Sequence, residues 1–169
     1  MPPRRPAARP HLRRLEDRAV PALLVALDPG DGLLTPDRLV SFDSAAPGSL
    51  LTNVAVSGLQ PTETLVGIDY RTSNGVLYGV GSTSRLYALD PGTGAATQVG
   101  PAFNVALSGT AFGVDVNPVA DKLRIVSNTG QSLRVDFATG AVTQEPNQLT
   151  FVNNPGSGDP QVVADSAQN

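Results

Sequence analysis

The chain has 169 residues, of which 40% are hydrophobic, with 17 Gly and 15 Pro. That suffices for one domain with its own core, and it falls short of the Gly and Pro content of a low-complexity disordered chain. The formal net charge of −3 hides a division. Residues 1–18 carry six Arg against Glu16 and Asp17, and the remainder carries six Lys or Arg against thirteen Asp or Glu. An acidic body offers no electrostatic footprint for nucleic acid, so no such partner is expected. The absence of Cys excludes disulfides, thiolate zinc sites and thiol nucleophiles. The single His, His11, lies in the Arg- and Pro-rich start, which excludes a Ser-His-Asp triad within the body.

Residues 1–21 read as a disordered basic leader or sorting segment. The only apolar run is Val20–Leu27, far short of the about 20 residues a membrane span needs. It lies near the lower limit of a signal-peptide apolar region, and no small-x-small cleavage site follows it. Arg13–Arg14 lacks the surroundings of a twin-Arg export signal. The stretch Arg14-Leu15-Glu16-Asp17-Arg18-Ala19-Val20-Pro21-Ala22 resembles the short LExR-type segment at the start of many secreted or surface proteins of bacteria. That resemblance implies export, to the medium or the cell surface. A solvated tail carrying no address is the alternative.

Residues 22–169 read as one domain that repeats itself at a spacing of 46 residues. Leu65, Asp69, Leu77 and Ser82 recur as Ala111, Asp115, Leu123 and Asn128; Asp90, Thr93, Gly94 and Gln98 recur as Asp136, Thr139, Gly140 and Gln144. Such a period, built from short strands and tight turns, predicts an all-β, propeller-like array of four-stranded antiparallel blades.

In chain order, a partial blade over 23–57 comes first. Leu23–Leu27, Arg38–Asp43 and Leu50–Val56 take the places of a second, third and fourth strand, with no innermost strand before them. A full blade over 65–100 follows. Leu65–Tyr70 alternates Val66, Ile68 and Tyr70 on one face with Leu65, Gly67 and Asp69 on the other. Thr72–Gly75 turns the chain, with Asn74-Gly75 expected to supply positive φ values. Val76–Val80 and Arg85–Leu89 return as the next strands. Asp90–Gly94 then turns into Ala95–Val99, with Gly94 in the left-handed position. The blade over 111–146 repeats this grammar with Ala111–Val116, Lys122–Ser127, Leu133–Val135 and Ala141–Glu145. On the third strands Val40/Phe42, Tyr87/Leu89 and Leu133/Val135 are expected to point inward. Finally, residues 160–166 read as the first strand of a further blade. Two full and two partial blades fit the front part of a longer domain, an unusually small ring closed by the last strand, or copies paired edge to edge.

Several runs carry a further resemblance: Arg38–Gly48, Glu63–Arg71, Leu77–Ser82 with Arg85–Asp90, and Phe112–Pro118 with Asp121–Ser127. They resemble a bacterial, propeller-related family known as DUF4394, a domain of unknown function, from about Leu23 onward. Asp28–Leu34 departs from its pattern as an insertion. The resemblance implies a longer domain and assigns no activity or functional residue.

Asp69 and Asp115 occupy equivalent places on innermost strands, where carboxylates around a channel could hold Ca²⁺. The alternative is a structural role, with Asp side chains bonding nearby backbone amides. Asp43, Asp90 and Asp136 each open a turn. Asp28-Pro29-Gly30-Asp31-Gly32 lacks the spacing and terminal Glu of an EF-hand and reads as a surface turn. Glu63 and Glu145, the only glutamates of the body, stand at an inner and an outer position and do not form the carboxylate pair of a glycosidase. No catalytic or cofactor-binding residue is assigned. The expected function is a non-catalytic, exported binding or interaction scaffold for a protein or glycan. The rival is a calcium-assisted propeller hydrolase, lactonase- or glycosidase-like, with Asp69 and Asp115 in its channel.

Overall fold

A computed structural model of the chain describes residues 21–30 and 34–145. It contains eleven strands and, among the described residues, no helix. Strands β1 (Leu23–Asp28), β2 (Arg38–Asp43) and β3 (Leu50–Ala55) form sheet 1. Sheet 2 comprises β4 (Leu65–Arg71), β5 (Val76–Gly81), β6 (Arg85–Leu89) and β7 (Ala96–Val99). Sheet 3 comprises β8 (Phe112–Asn117), β9 (Lys122–Ser127), β10 (Ser132–Val135) and β11 (Val142–Gln144). Each sheet runs antiparallel in chain order, as expected of successive propeller blades. Among the described residues the array is open, and sheet 1 has three strands, lacking the one that would flank β1. Residues 1–20 of the leader, residues 31–33 and the strand expected over 160–166 lie outside the described residues.

The sheets stack face to face over two apolar layers. Leu39 and Val56 of the first unit meet Leu77, Tyr87 and Leu89 of the second. Tyr78, Val80 and Leu86 on the other face of sheet 2 meet Val116, Leu123, Ile125, Leu133 and Val135 of sheet 3. Sheet 2 is thus covered on both sides, and β5 is buried along nearly its whole length. The innermost strands β4 and β8 lie side by side. A Cβ on Gly67 would sit 2.5 Å from Val114 Cγ2, so this approach requires a residue without a side chain at position 67.

The turns follow from their sequences. Asp43, Asp90 and Asp136 each accept a backbone N–H two residues on, at 2.7, 2.8 and 2.9 Å, the Asx-turn chemistry of short polar side chains. Gly94 and Gly140 take left-handed φ values of 78° and 69° at equivalent places. Ser82 Oγ accepts the Thr64 amide and Asn128 Oδ1 accepts the Thr110 amide. The repeat therefore extends to individual hydrogen bonds.

Three local expectations are corrected. In the Thr72–Gly75 turn only Gly75 has positive φ, at 69°; Asn74 instead caps the turn through its side chain, which accepts the Val76 amide at 3.0 Å. In β4 the expected alternation breaks, because the pairing with β5 shifts register between Leu65 and Gly67. Val66 packs into the layer facing sheet 3, and Leu65 and Ile68 into the layer facing sheet 1. A bulge changes which face the following residues occupy. On β2 the buried residues are Leu39 and Ser41, and Val40 and Phe42 are half-buried. Val40 and Phe42 do correspond to Tyr87/Leu89 and Leu133/Val135, which point back at the preceding sheet. Sheet 1 has no preceding sheet among the described residues, so the matching face stays half open.

Candidate functional site

The seam between sheets 1 and 2 opens into a cleft of about 270 Å³, lined by Leu34–Asp37, Val56–Gln60 and Glu63. Two carboxylates, 3% and 5% exposed, stand in its wall: Asp37 and Glu63. Asp37 lies one residue before β2, and its backbone carbonyl accepts the Val56 amide at 2.7 Å. Its side chain accepts the Gly30 amide at 2.7 Å through Oδ1 and the Leu65 amide at 2.5 Å through Oδ2. Asp37 thus ties sheet 1 to the first residue of β4.

Glu63 is held by four donors. The Gln60 amide and the Tyr87 hydroxyl donate to Oε2, at 3.1 and 2.5 Å. The Thr83 amide donates to Oε1 at 3.1 Å, joined there by the Thr83 hydroxyl. Burial works to raise the Glu63 pKa, but the bonds from Thr83, Tyr87 and the two amides outweigh it and hold the carboxyl below its ordinary value. Burial, together with the Glu63 carboxylate, pushes the Tyr87 phenol up to about 12. A carboxylate kept ionised and saturated with donors is a poor proton donor, and a phenol this weak stays protonated at neutral pH. The pair fixes the shape of the cleft wall.

This network departs from the repeat in a coordinated way. Glu63, Gly81 and Tyr87 of sheet 2 correspond to Gly109, Ser127 and Leu133 of sheet 3. A Cβ on Gly81 would lie 2.1 Å from Glu63 Oε1, so the glycine makes room for the glutamate. Where the glutamate gives way to Gly109, the partner position carries a side chain, Ser127, and the phenol becomes an apolar Leu133 that is fully buried.

The two carboxylates singled out from the sequence are placed on neighbouring innermost strands, Asp69 on β4 and Asp115 on β8, both half-buried. Asp69 Oδ1 accepts its neighbour's amide, Tyr70 N, at 2.7 Å. Its Oδ2 crosses to the next sheet and accepts the amide that follows Asp115, Val116 N, at 2.7 Å. Asp115 faces Arg124 across the β8–β9 pair. Among the described residues no group of three or more His, Cys, Asp or Glu is placed to hold a metal. Asp69 would offer Ca²⁺, which takes six to eight oxygens, only atoms that already accept amides. Glu145 pairs with Arg134 Nε at 2.7 Å on sheet 3, on another sheet from Glu63.

A second cleft of about 430 Å³ lies on sheet 3, lined by Lys122, Arg134, Asp136, Thr139 and Thr143 among others. Lys122 is paired with Asp136, whose carboxyl this ion pair and Thr139 hold well below the ordinary range. At the opposite seam, Arg71 reaches from β4 to Asp121 in a two-point pair of 2.8 and 2.5 Å, and lies 4.7 Å from the Phe137 ring centroid.

Sequence reasoning missed Asp37 and set Glu63 aside. A lone acid before a strand looks like any turn residue, and nothing around Asp37 marks it. Glu63 had a usable signal: its joint replacement with Gly81 and Tyr87 between two copies of one repeat.

The family profile described as domain of unknown function DUF4394 matches residues 38–169. The chain belongs to this family. The match begins at the first residue of β2, so β1 and the cleft wall before Arg38 precede it. No curated protein and no solved structure gives a significant match to this DUF4394 chain.

Proposed function

We propose that this DUF4394 domain is a non-catalytic interaction scaffold, exported from the cell, that binds a protein or glycan through the loops around the cleft between sheets 1 and 2. One observation carries the reading. The three carboxylates along this wall and the inner strands, Asp37, Glu63 and Asp69, each have both oxygens occupied by donors of the fold itself. Groups so committed hold sheets together and shape a surface, whereas hydrolysis needs a carboxyl free to accept or release a proton. The rim is left to recognition: Leu34 is 90% exposed and Gln60 is also exposed, and rigid sheets present such loops well. Export rests on the likeness of Arg14–Ala22 to a bacterial sorting segment.

The test is a binding screen of the full chain against immobilised glycans and purified surface proteins, run beside thermal melts in millimolar Ca²⁺ and in chelator. The scaffold reading expects a ligand whose binding weakens in Leu34→Ser and Gln60→Ala without loss of melting temperature. It also expects no calcium shift. Stabilisation by Ca²⁺ that disappears in Asp69→Ala, accompanied by turnover of a lactone or glycoside, would overturn it in favour of the hydrolase.

A further inference from the structure

The flank of β8 that faces away from β4 reproduces the flank of β4 on which β8 itself docks. Gly67 and Asp69 make that docking: the glycine admits Val114, and the aspartate accepts the Val116 amide. One repeat later the same positions are Gly113 and Asp115. Gly113, Val126 and Ser132 form one row across sheet 3, on the side opposite Ile125 and its apolar layer. Val126 is 1% exposed, Ser132 is 3% exposed and Gly113 is buried. Val126 belongs to neither apolar layer described above. This row is therefore not built as a solvent face.

We propose that the β8 flank is the acceptor for one further innermost strand, and that its occupant is this chain's own segment Gln161–Ser166. Chain order favours it: β3 leads to β4 and β7 to β8, each time from the outer strand of one sheet to the inner strand of the next. After β11 the next run with that grammar is Gln161-Val162-Val163-Ala164-Asp165-Ser166. Setting Asp165 in the place of Asp115 puts Ala164 where Val114 stands and Ser166 where Val116 stands. Ala164 then meets Gly113, a pairing that needs less room than Val114 against Gly67. Asp115 accepts the Ser166 amide, as Asp69 accepts that of Val116. The connection from Glu145 to Gln161 reaches on the order of 50 Å when extended. Recrossing sheet 3 and stepping to its neighbour needs roughly half of that.

The chain has no cysteine, so paired substitutions report the contact cleanly. In the described pair, a Cβ on Gly67 would lie 2.8 Å from Val114 Cβ, about 1 Å inside the usual disulfide spacing, so the two cysteines bridge once the strands part by about that much. Gly67→Cys with Val114→Cys is therefore the positive control, and Gly113→Cys with Ala164→Cys is the test, both in the full chain under a mild thiol oxidant. The expected result is an intramolecular disulfide in the test pair, formed about as completely as in the control. A test pair that stays reduced while the control closes overturns the proposal. Disulfide-linked dimers overturn it too, because the occupant is then a second copy. Hydrogen exchange supplies a readout that needs no substitution in the fold. Ending the chain at Asp159 should speed exchange across Phe112–Asn117 by about tenfold or more, and unchanged rates there would refute the docking.

Discussion

Tyr87 donates its hydroxyl to Glu63 across the wall of the first cleft at 2.5 Å, and the tyrosine is fully buried. Tyr87→Phe removes that donor while keeping the ring. Glu63 then remains buried with three of its four bonds. The expected loss is about 1–3 kcal/mol in denaturant unfolding, the usual cost of an under-satisfied buried group. Replacing Glu63, Gly81 and Tyr87 together by Gly, Ser and Leu, the set found in sheet 3, should recover most of it. A triple variant less stable than Tyr87→Phe would show that the three positions do not act as a unit.

Acid should weaken the fold. Glu63, Asp121 and Asp136 all have folded-state pKa values below their ordinary ones, through hydrogen bonds from Thr83 and Tyr87, from Arg71, and from Lys122 respectively. A depressed carboxyl contributes stability that is present above its unfolded value of about 4 and is lost as the pH falls through the folded value. Unfolding midpoints should thus hold from neutral pH to about 5 and drop below it. Glu63→Gln should flatten the decline, and an unaltered slope in that variant would remove Glu63 from the account.

Asp69 is expected to act as a strap between innermost strands. Asp69→Ala leaves the Val116 amide without its acceptor, a loss of about 1–3 kcal/mol. Asp69→Asn keeps an oxygen that can still accept one amide and should lose less. Amide exchange at Val116 separates this role from a channel ligand: the alanine variant should accelerate it, and protection equal to that of the parent chain would contradict the strap.

Gly67→Ala should destabilise by about 1–3 kcal/mol, because its new methyl meets Val114. Trimming the opposing side chain with Val114→Ala in the same molecule should return part of that loss. A double-mutant cycle measures the coupling directly, and strict additivity would mean that the two strands do not press on each other there.

The strands and their turns were legible in the sequence because each depends on neighbours a few residues away. Arg85–Leu89, Arg38–Asp43 and Lys122–Ser127 appear where alternation and flanking turn residues put them. What local pattern could not carry is which side of a strand finds a neighbour. Val40 and Phe42 match Tyr87 and Leu89 residue for residue, yet stay half-open because no other described sheet covers their face. The inversion in β4 was hidden for a related reason, since a bulge leaves no mark beyond a glycine. Asp69 and Asp115 stood out by their recurrence, and the crossing bond to Val116 gives that recurrence a mechanical meaning. Asp37 was invisible because its two amide partners, Gly30 and Leu65, lie 7 and 28 residues away.

The half-open outer side of sheet 1 sets where the molecule comes apart. Leu24, Leu50 and Leu51 remain 43%, 53% and 61% exposed there, so this end contributes less buried area per residue than the doubly covered middle. In a stacked array, stability is passed between neighbours, and a unit covered by one neighbour among the described residues opens before one covered on both faces. Limited proteolysis should accordingly nick the chain between Asp43 and Leu50 before it touches Val76–Leu89. Warming should fray the molecule from its amino-terminal side, leaving the unit that holds Tyr87 until last.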